Sequence, residues 1–383
     1  MQVNKVQQEY FGVGAIERLT AILQQQNPQN IFLVCGKKSY RCSGAEDKIS
    51  YLLLPYKTTK FTDFSPNVKI NDVKKGLAAF KLNQCDFVLA VGGGSTIDLA
   101  KTVAILSANP GRPEEYIQKK MPIQPRMIPL AVVPTTAGTG SEATHFAVVY
   151  LGKDKYSLAH FSMVPDFALI DPNLTISLLP YETACTGIDA LAQAIESSWS
   201  VQSTKESKNY AEEAIILAKE YLEKAVKDPN NIEARVGMAR AANLAGKAIN
   251  ISFTTACHAI SYPITSYFNI PHGHAVALTL PEMITYNAKV TEKDCLDKRK
   301  VEYVQRTMQE LYAIVGAKSG EEMKKKIETL LENIGLEQRL QKLNIHKDDV
   351  EIIIKRGFNP ERMKNNPRLV TEGNLRNMLF RLK

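Results

Sequence analysis

The hydrophobic periodicity of the chain changes once, and that change limits the folds open to it. Up to about residue 176, short β-branched or aliphatic runs alternate with helical segments: "NIFLVC" (30–35), "DFVLAV" (86–91), "IPLAVVP" (128–134), "HFAVVYL" (145–151) and "FALIDP" (167–172). This is the rhythm of a largely parallel α/β sheet. After "DPNLTISLLP" the strand signals stop. "AEEAIILAKEYLEKAVK", "NIEARVGMARAANLAGKAI" and "GEEMKKKIETLLENIGL" carry apolar residues at helical spacing instead. With 383 residues and 44% hydrophobic content the chain is too long for one ordinary core. The expectation is two domains, an α/β domain over 1–176 and a helical domain over 177–383, without internal repeats.

The net charge of +8 raises the question of nucleic acid. The lysines and arginines are spread along the chain, however, and no basic block is interleaved with aromatics, so nucleic-acid binding is not expected. A small anionic substrate is the other outlet for the excess charge. No run reaches the length of a membrane span, and "MQVNKVQQEYFGVGAIERL" lacks the apolar block of a signal peptide. The six cysteines contain no CxxC pair and read as reduced thiols. Together these features predict a cytoplasmic protein.

Two loops carry nucleotide chemistry. In "AVGGGSTIDLAK" (90–101) a buried strand ends in three glycines and passes through Ser95 into a helix. Backbone amides at such a helix start can approach a phosphate, and the helix dipole favours the anion. "VPTTAGTGSEAT" (133–144) also follows a strand and is crowded with hydroxyls and glycines. Two such loops at the carboxyl edge of one parallel sheet favour a dinucleotide. The first strand ends in "VCGKKSY", with Gly36 and Lys37 where folds that exclude a ribose 2′-phosphate often carry an acid, so the reading leans towards NADP.

A third constellation lies in the helical half. In "GIDALAQAIESSWS" (187–200) Asp189 and Gln193 stand one helical turn apart in an otherwise apolar stretch. In "CHAISYPITSYFNIPHGHAVAL" His258 heads a helical segment, and His272 sits in a turn between Pro271 and Gly273. Two imidazoles, a carboxylate and an amide oxygen suit a divalent ion of intermediate softness such as Fe²⁺, Zn²⁺ or Mn²⁺. Taken singly, each residue has an ordinary core explanation, and periodicity alone does not assemble them.

In this order and spacing, "GGGSTIDLAK", "PTTAGTGSE", "IDPNLT", "GIDALAQAIES" and "PHGHAVAL" resemble the iron-dependent (group III) alcohol dehydrogenases, from about residue 8 to the C-terminus. The resemblance implies a Rossmann-like N-terminal domain, an all-helical C-terminal domain of dehydroquinate-synthase-like architecture, and an active site in the cleft between them. It further implies that Asn67, Gly93, Gly94, Ser95, Thr135, Thr136 and Lys155 line NAD(P)H, that Asp189, Gln193, His258 and His272 hold Fe²⁺ or Zn²⁺, and that the protein is a homodimer or larger. Typical members carry histidine where this chain has Gln193, and commonly another where it has Tyr262. An amide is a poorer donor than imidazole, and Tyr262 is the expected substitute proton relay, with His274 as a second catalytic candidate.

Within that family, "GKKSYRCSGAE", "TDFSPN", "KYSLAHFSMVPDFALIDP" and "SYPITSYFNIPHGHAVALTLP" look most like the phosphonoacetaldehyde reductase or 2-hydroxyethylphosphonate dehydrogenase branch. A dianionic substrate needs cationic partners, for which His145, His274, Arg356 and Arg362 are the candidates. The expected reaction is reversible reduction of a small aldehyde, with the metal polarising the carbonyl oxygen and hydride arriving from the nicotinamide. A branch acting on acidic sugars is the rival within the class. A nucleotide-binding sensor with a degraded metal site is the alternative outside it. A lyase like dehydroquinate synthase lacks its phosphate and carboxylate ligands here.

Overall fold

The aliphatic runs of the first half become strands because both of their faces find apolar helices to cover them. In the computed structural model, which describes residues 6–382, the strands are β1 (Gln8–Phe11), β2 (Asn30–Cys35), β3 (Lys57–Phe61), β4 (Phe87–Gly92), β5 (Leu130–Pro134), β6 (Phe146–Leu151), β7 (Asp154–Ala159) and β8 (Phe167–Ile170). Between them run α1 (Leu19–Gln26), α2 (Ser39–Cys42), α3 (Ala45–Leu53), α4 (Ile70–Leu82), α5 (Gly94–Ser107) and α6 (Pro113–Ile117). Six strands form one sheet in the order β1-β8-β5-β4-β2-β3, every pairing parallel. Phe32, Val34, Val88, Ala90 and Val132 face one core with Val73, Leu77, Val103 and Ile105 from α4 and α5. Their strand neighbours Ile31, Leu33, Leu89, Val91 and Val133 face the other, against Leu19, Ile22 and Leu23 of α1 and Ile49 of α3. Burial on both faces is what makes β2, β4 and β5 read as unbroken apolar runs.

From β2 the chain steps outward to β3, then returns to place β4 on the opposite side of β2. The strand order therefore reverses between β2 and β4, and the loops leaving their carboxyl ends flank the point where open α/β sheets bind ligands.

Two expectations need correction. The run at 145–151 does not join the parallel sheet: β6 pairs antiparallel with β7 in a separate two-stranded ribbon. Only Gly152 and Lys153 separate the paired residues Leu151 and Asp154, and two residues close a hairpin but cannot make the crossover that a parallel neighbour requires. The edge strands β1 ("QEYF") and β3 ("KTTKF"), like β7, carry no aliphatic run, so hydrophobic patterning did not reveal them.

α5 also ties the two glycine- and hydroxyl-rich loops together. Lys101, fully buried, donates from Nζ to Thr144 O at 2.8 Å, Thr144 Oγ1 at 2.9 Å, Phe146 O at 3.1 Å and Ser141 Oγ at 3.2 Å. Asp98, one turn earlier, accepts from Ser141 Oγ at 2.6 Å and from the amide of Val148 at 2.9 Å. Burial pushes Lys101 down to about 8 against the opposing pull of Asp98 and Glu142, and burial raises Asp98 despite the facing ammonium.

The chain divides into two compact units, one ending at Leu178 and the other beginning at Leu179. The second unit is helical throughout its described residues, apart from short turns and an isolated bridge between Cys295 and Arg368. Its helices are α7 (Pro180–Trp199), α8 (Lys205–Lys227), α9 (Ile232–Ser252), α10 (Ala256–Phe268), α11 (His272–Ala288), α12 (Lys300–Val315), α13 (Gly320–Asn333), α14 (Val350–Arg356), α15 (Pro360–Met363) and α16 (Glu372–Arg381). α7 is central, packing on α8, α9, α11 and α12. It approaches α8 closely because Gly187 has no side chain: a Cβ there would lie 2.2 Å from Leu222 Cδ1. No described helix is long and apolar enough to cross a membrane.

Lys101→Met should cost about 2–4 kcal/mol of stability in urea unfolding, since it leaves the buried carbonyls of Thr144 and Phe146 without their donor and the Asp98 carboxylate without its facing positive charge. Amide exchange at 141–148 should quicken at the same time.

Candidate metal centre and nucleotide loops

The polar residues of α7 fall on one helix face. Asp189, Gln193 and Glu196 occupy positions i, i+4 and i+7, which 3.6 residues per turn brings within a narrow sector. All three are buried, at 3%, 3% and 0% exposure, so polar partners must satisfy them. α10 supplies His258, also buried, and α11 begins at His272. His272 is thus the first residue of a helix rather than part of a free turn.

One ligand atom each from Asp189, His258 and His272 lies within 4.8 Å of the others. His258 Nε2 is 3.4 Å from Asp189 Oδ1, and the two imidazole rings stand 5.4 Å apart at 75°. Gln193 Nε2 donates to Asp189 Oδ2 at 3.0 Å. Its Oε1 has no hydrogen-bond partner, and neither has His258 Nε2. Two buried polar atoms without hydrogen-bond partners, beside a carboxylate and a second imidazole, are what a cation would satisfy, and the mixed nitrogen and oxygen set suits a borderline divalent ion.

The approach of α11 to α7 depends on Gly273. A Cβ at that residue would meet Cys185 O at 1.9 Å and Asp189 Cβ at 2.9 Å. Any side chain there pushes the start of α11, and His272 with it, away from Asp189.

Behind His258 stands Glu196, which had not been singled out from the sequence. Its Oε1 accepts from Thr255 Oγ1 at 2.6 Å and from the amide of Cys257 at 2.8 Å, and its Oε2 pairs with His258 Nδ1. Trp199 Nε1 donates to Thr255 Oγ1 at 3.0 Å. Burial works against the charged ring of His258, but the facing carboxylates of Glu196 and Asp189 outweigh it and hold its pKa above the usual histidine range. Burial likewise works against the Glu196 carboxylate, and His258 with the Thr255 and Cys257 donors more than compensates, keeping its pKa below the ordinary value. The legible signal was an acid seven residues after Asp189 in the apolar helix.

The remaining candidates separate. Tyr262 lies beside the centre, its ring 6.3 Å from that of His272, and Arg362 Nε is 3.4 Å from its hydroxyl. The Arg362 guanidinium also covers the Phe253 ring at 5.6 Å. His274 is otherwise engaged. Its Nε2 is 2.7 Å from the Glu337 carbonyl, which can only accept, so its Nδ1 takes the hydrogen bond from Tyr181 Oη at 3.0 Å. Burial lowers the His274 pKa and raises Tyr181 to about 12. The expectation of His274 as a catalytic or cationic group is therefore withdrawn: it is a neutral bridge holding α7 to the segment before Leu340. Arg356 is exposed at the end of α14, and His145 belongs to the first unit, where its ring packs on Phe146.

In the first unit the expected nucleotide residues come together. Gly93 caps α5, and Gly94 begins it. A Cβ on Gly93 would lie 3.1 Å from Thr136 Cγ2, and one on Gly94 would lie 2.7 Å from Thr139 Cγ2, so both loops meet closely at bare backbone. The amide of Thr135 donates to Gly92 O at 3.1 Å, and the amide of Asn67, in the left-handed region at φ 60°, donates to Ser95 Oγ at 3.1 Å. Lys155, on β7, is near enough for its charge to act on Asp98. The half-buried start of this 14-residue helix, beside small hydroxyl side chains, is the kind of place where backbone amides can meet a phosphate. Lys37 and Lys38 are exposed where α2 begins.

Comparison with known proteins places this geometry in a class. Residues 7–172 match the model for iron-containing alcohol dehydrogenases, and residues 183–382 match that for the C-terminal region of the Fe-containing alcohol dehydrogenase family. The chain belongs to the iron-containing alcohol dehydrogenase family. It is 33% identical to long-chain-alcohol dehydrogenase 1 of Geobacillus thermodenitrificans over 72% of this chain and 71% of that one. It is 37% identical to the phosphonoacetaldehyde reductase of Streptomyces viridochromogenes over 61% of each. The crystal structure of sulfoacetaldehyde reductase from Bifidobacterium kashiwanohense in complex with NAD⁺ superposes with a TM-score of 0.87 at 31% identity, covering 98% of this chain and 96% of that one.

Gly273→Ala should lower the melting temperature and abolish Co²⁺ binding, read by the visible absorption of the ion. Ala at the neighbouring exposed Pro271 should leave binding intact.

Proposed function

We propose that the protein catalyses reversible, NAD(P)H-linked reduction of a short aldehyde carrying a tetrahedral oxyanion, with phosphonoacetaldehyde reduced to 2-hydroxyethylphosphonate as the leading reaction. The observation that carries the metal-dependent chemistry is the convergence of Asp189, His258 and His272 beside the unpartnered Gln193 Oε1. These four residues would hold a divalent ion, which would supply Lewis acidity towards a carbonyl oxygen, and a nicotinamide nucleotide would supply the hydride. The cradle of Gly93, Gly94, Ser95, Thr135 and Thr136, with Asn67 and Lys155 beside it, holds the nucleotide.

The substrate class rests on Arg362. Its guanidinium lies against the hydroxyl of Tyr262, whose ring neighbours that of His272. A planar, permanently charged donor group against the hydroxyl of that tyrosine suits a phosphonate or sulfonate one carbon from the aldehyde. Two of the relatives are named for two-carbon aldehydes with such groups, which supports the same class. Tyr262 contributes the hydroxyl that passes a proton to the nascent alcohol. The buried orphan atoms count against a sensor with a degraded metal site, because a degraded site has no reason to keep them unsatisfied.

The deciding experiment follows NADH and NADPH consumption with phosphonoacetaldehyde, sulfoacetaldehyde and propionaldehyde, before and after metal stripping and reloading with Fe²⁺ or Zn²⁺. Turnover should require metal and favour the anionic aldehydes. Nucleotide binding without consumption under every condition would restore the sensor reading.

Two substitutions separate the roles. Asp189→Ala should lower kcat at least about 10³-fold while leaving NADH fluorescence titrations near wild type. Arg362→Leu should raise KM for phosphonoacetaldehyde roughly 10- to 100-fold, the loss of a charge-assisted hydrogen bond, with little change for propionaldehyde.

A further inference from the structure

We infer that Glu196 is a positioning residue for the metal centre: it fixes the proton of His258 on Nδ1 and so presents Nε2 as a lone-pair donor. This rests on the reading of Asp189, Gln193, His258 and His272 as the ligand set.

The direction of each hydrogen bond around Glu196 is set by chemistry. The indole N–H of Trp199 can only donate, so the Thr255 oxygen accepts it and the Thr255 hydroxyl proton points onward to Glu196 Oε1. The amide of Cys257 also can only donate, and it reaches the same oxygen. Oε1 is therefore committed as a double acceptor. Oε2, with no proton of its own, faces His258 Nδ1 and requires a ring N–H there. The other ring nitrogen, Nε2, points towards Asp189 Oδ1 at 3.4 Å and makes no hydrogen bond. A fully buried acid has thus been spent on orienting one imidazole from behind. Carboxylates in this relation to a ligating histidine fix its ring and raise its basicity, and their loss typically costs 10- to 100-fold in metal affinity.

The arrangement makes Glu196→Gln more than a charge deletion. The donors from Thr255 and Cys257 hold the amide oxygen at the Oε1 position, so the amide NH₂ must face His258 Nδ1. A donor at that place favours the tautomer with its proton on Nε2, the atom needed for the ion. Glu196→Asp keeps an acceptor while drawing it back by one methylene.

The test titrates metal-free wild type, Glu196→Gln and Glu196→Asp with Co²⁺ at fixed pH, following the visible bands of the bound ion, and records the melting temperature of each metal-free protein. The inference expects Glu196→Gln to bind 10- to 100-fold more weakly with altered band positions, Glu196→Asp to recover part of the loss, and the metal-free melting temperatures to stay close together. Affinity within about twofold of wild type in Glu196→Gln overturns it. So does a loss of affinity that only tracks a fall in metal-free melting temperature in both variants, which marks a structural role. Should Glu196→Gln not fold, Glu196→Asp decides: unchanged affinity and bands overturn the inference, and weakened binding at unchanged melting temperature upholds it. Failure of the wild type itself to bind Co²⁺ refutes the ligand set instead.

Discussion

The candidate centre depends on how closely the start of α11 lies against α7. Gly273 permits that approach, since a single added carbon would overlap the Cys185 carbonyl. His272, one residue earlier, is thereby held opposite Asp189. The remaining polar groups of the face are then set by contacts from behind: Gln193 pins one oxygen of Asp189, and Glu196 holds the far nitrogen of His258. Asp189 is thus restrained through one oxygen and His258 from behind, leaving Asp189 Oδ1 and His258 Nε2 on the inward side. Such preorganisation keeps a site selective in spite of one weak amide donor.

The first unit solves a comparable problem with backbone instead of side chains. Glycines at 93 and 94 bring two loops into contact at the switch point of a parallel sheet, and small hydroxyl residues fill the space a Cβ would claim. The cost of that bare contact is met by the buried pair of Asp98 and Lys101, which fastens the second loop to α5 through Ser141, Thr144 and Phe146. The motif that reads as a phosphate loop therefore contains, one and two turns further on, the means of holding its neighbour in place.

Much of this was legible in the chain itself, for identifiable reasons. Strands covered on both faces leave continuous aliphatic runs, so β2, β4, β5 and β8 stood out, and helical spacing marked α8, α9 and α13. Edge strands such as β3 have no such signature, because polar residues serve well where one side meets water. The hairpin at Gly152 was misassigned because strand periodicity does not say which strand will be the neighbour. At the centre, Asp189, Gln193, His258 and His272 were picked out by their chemistry in apolar surroundings. Glu196 was passed over, because a single acid in a helix carries no local sign of its partners, and His274 was misjudged, because a histidine beside a ligand motif reads as reactive. Only their partners, Thr255 and Cys257 for the one and Tyr181 and Glu337 for the other, reveal the roles.

The order of residues alone determined two units of different secondary structure, two glycine-rich turns after buried strands, and a small set of metal-suited side chains, because these follow from local periodicity and from the chemistry of single residues. Tertiary structure decided which of those side chains meet, which ring nitrogen faces inward, and which charged groups are neutralised by burial. Those properties depend on distances between segments as far apart in the chain as Asp189 and His272, and no local pattern encodes such distances.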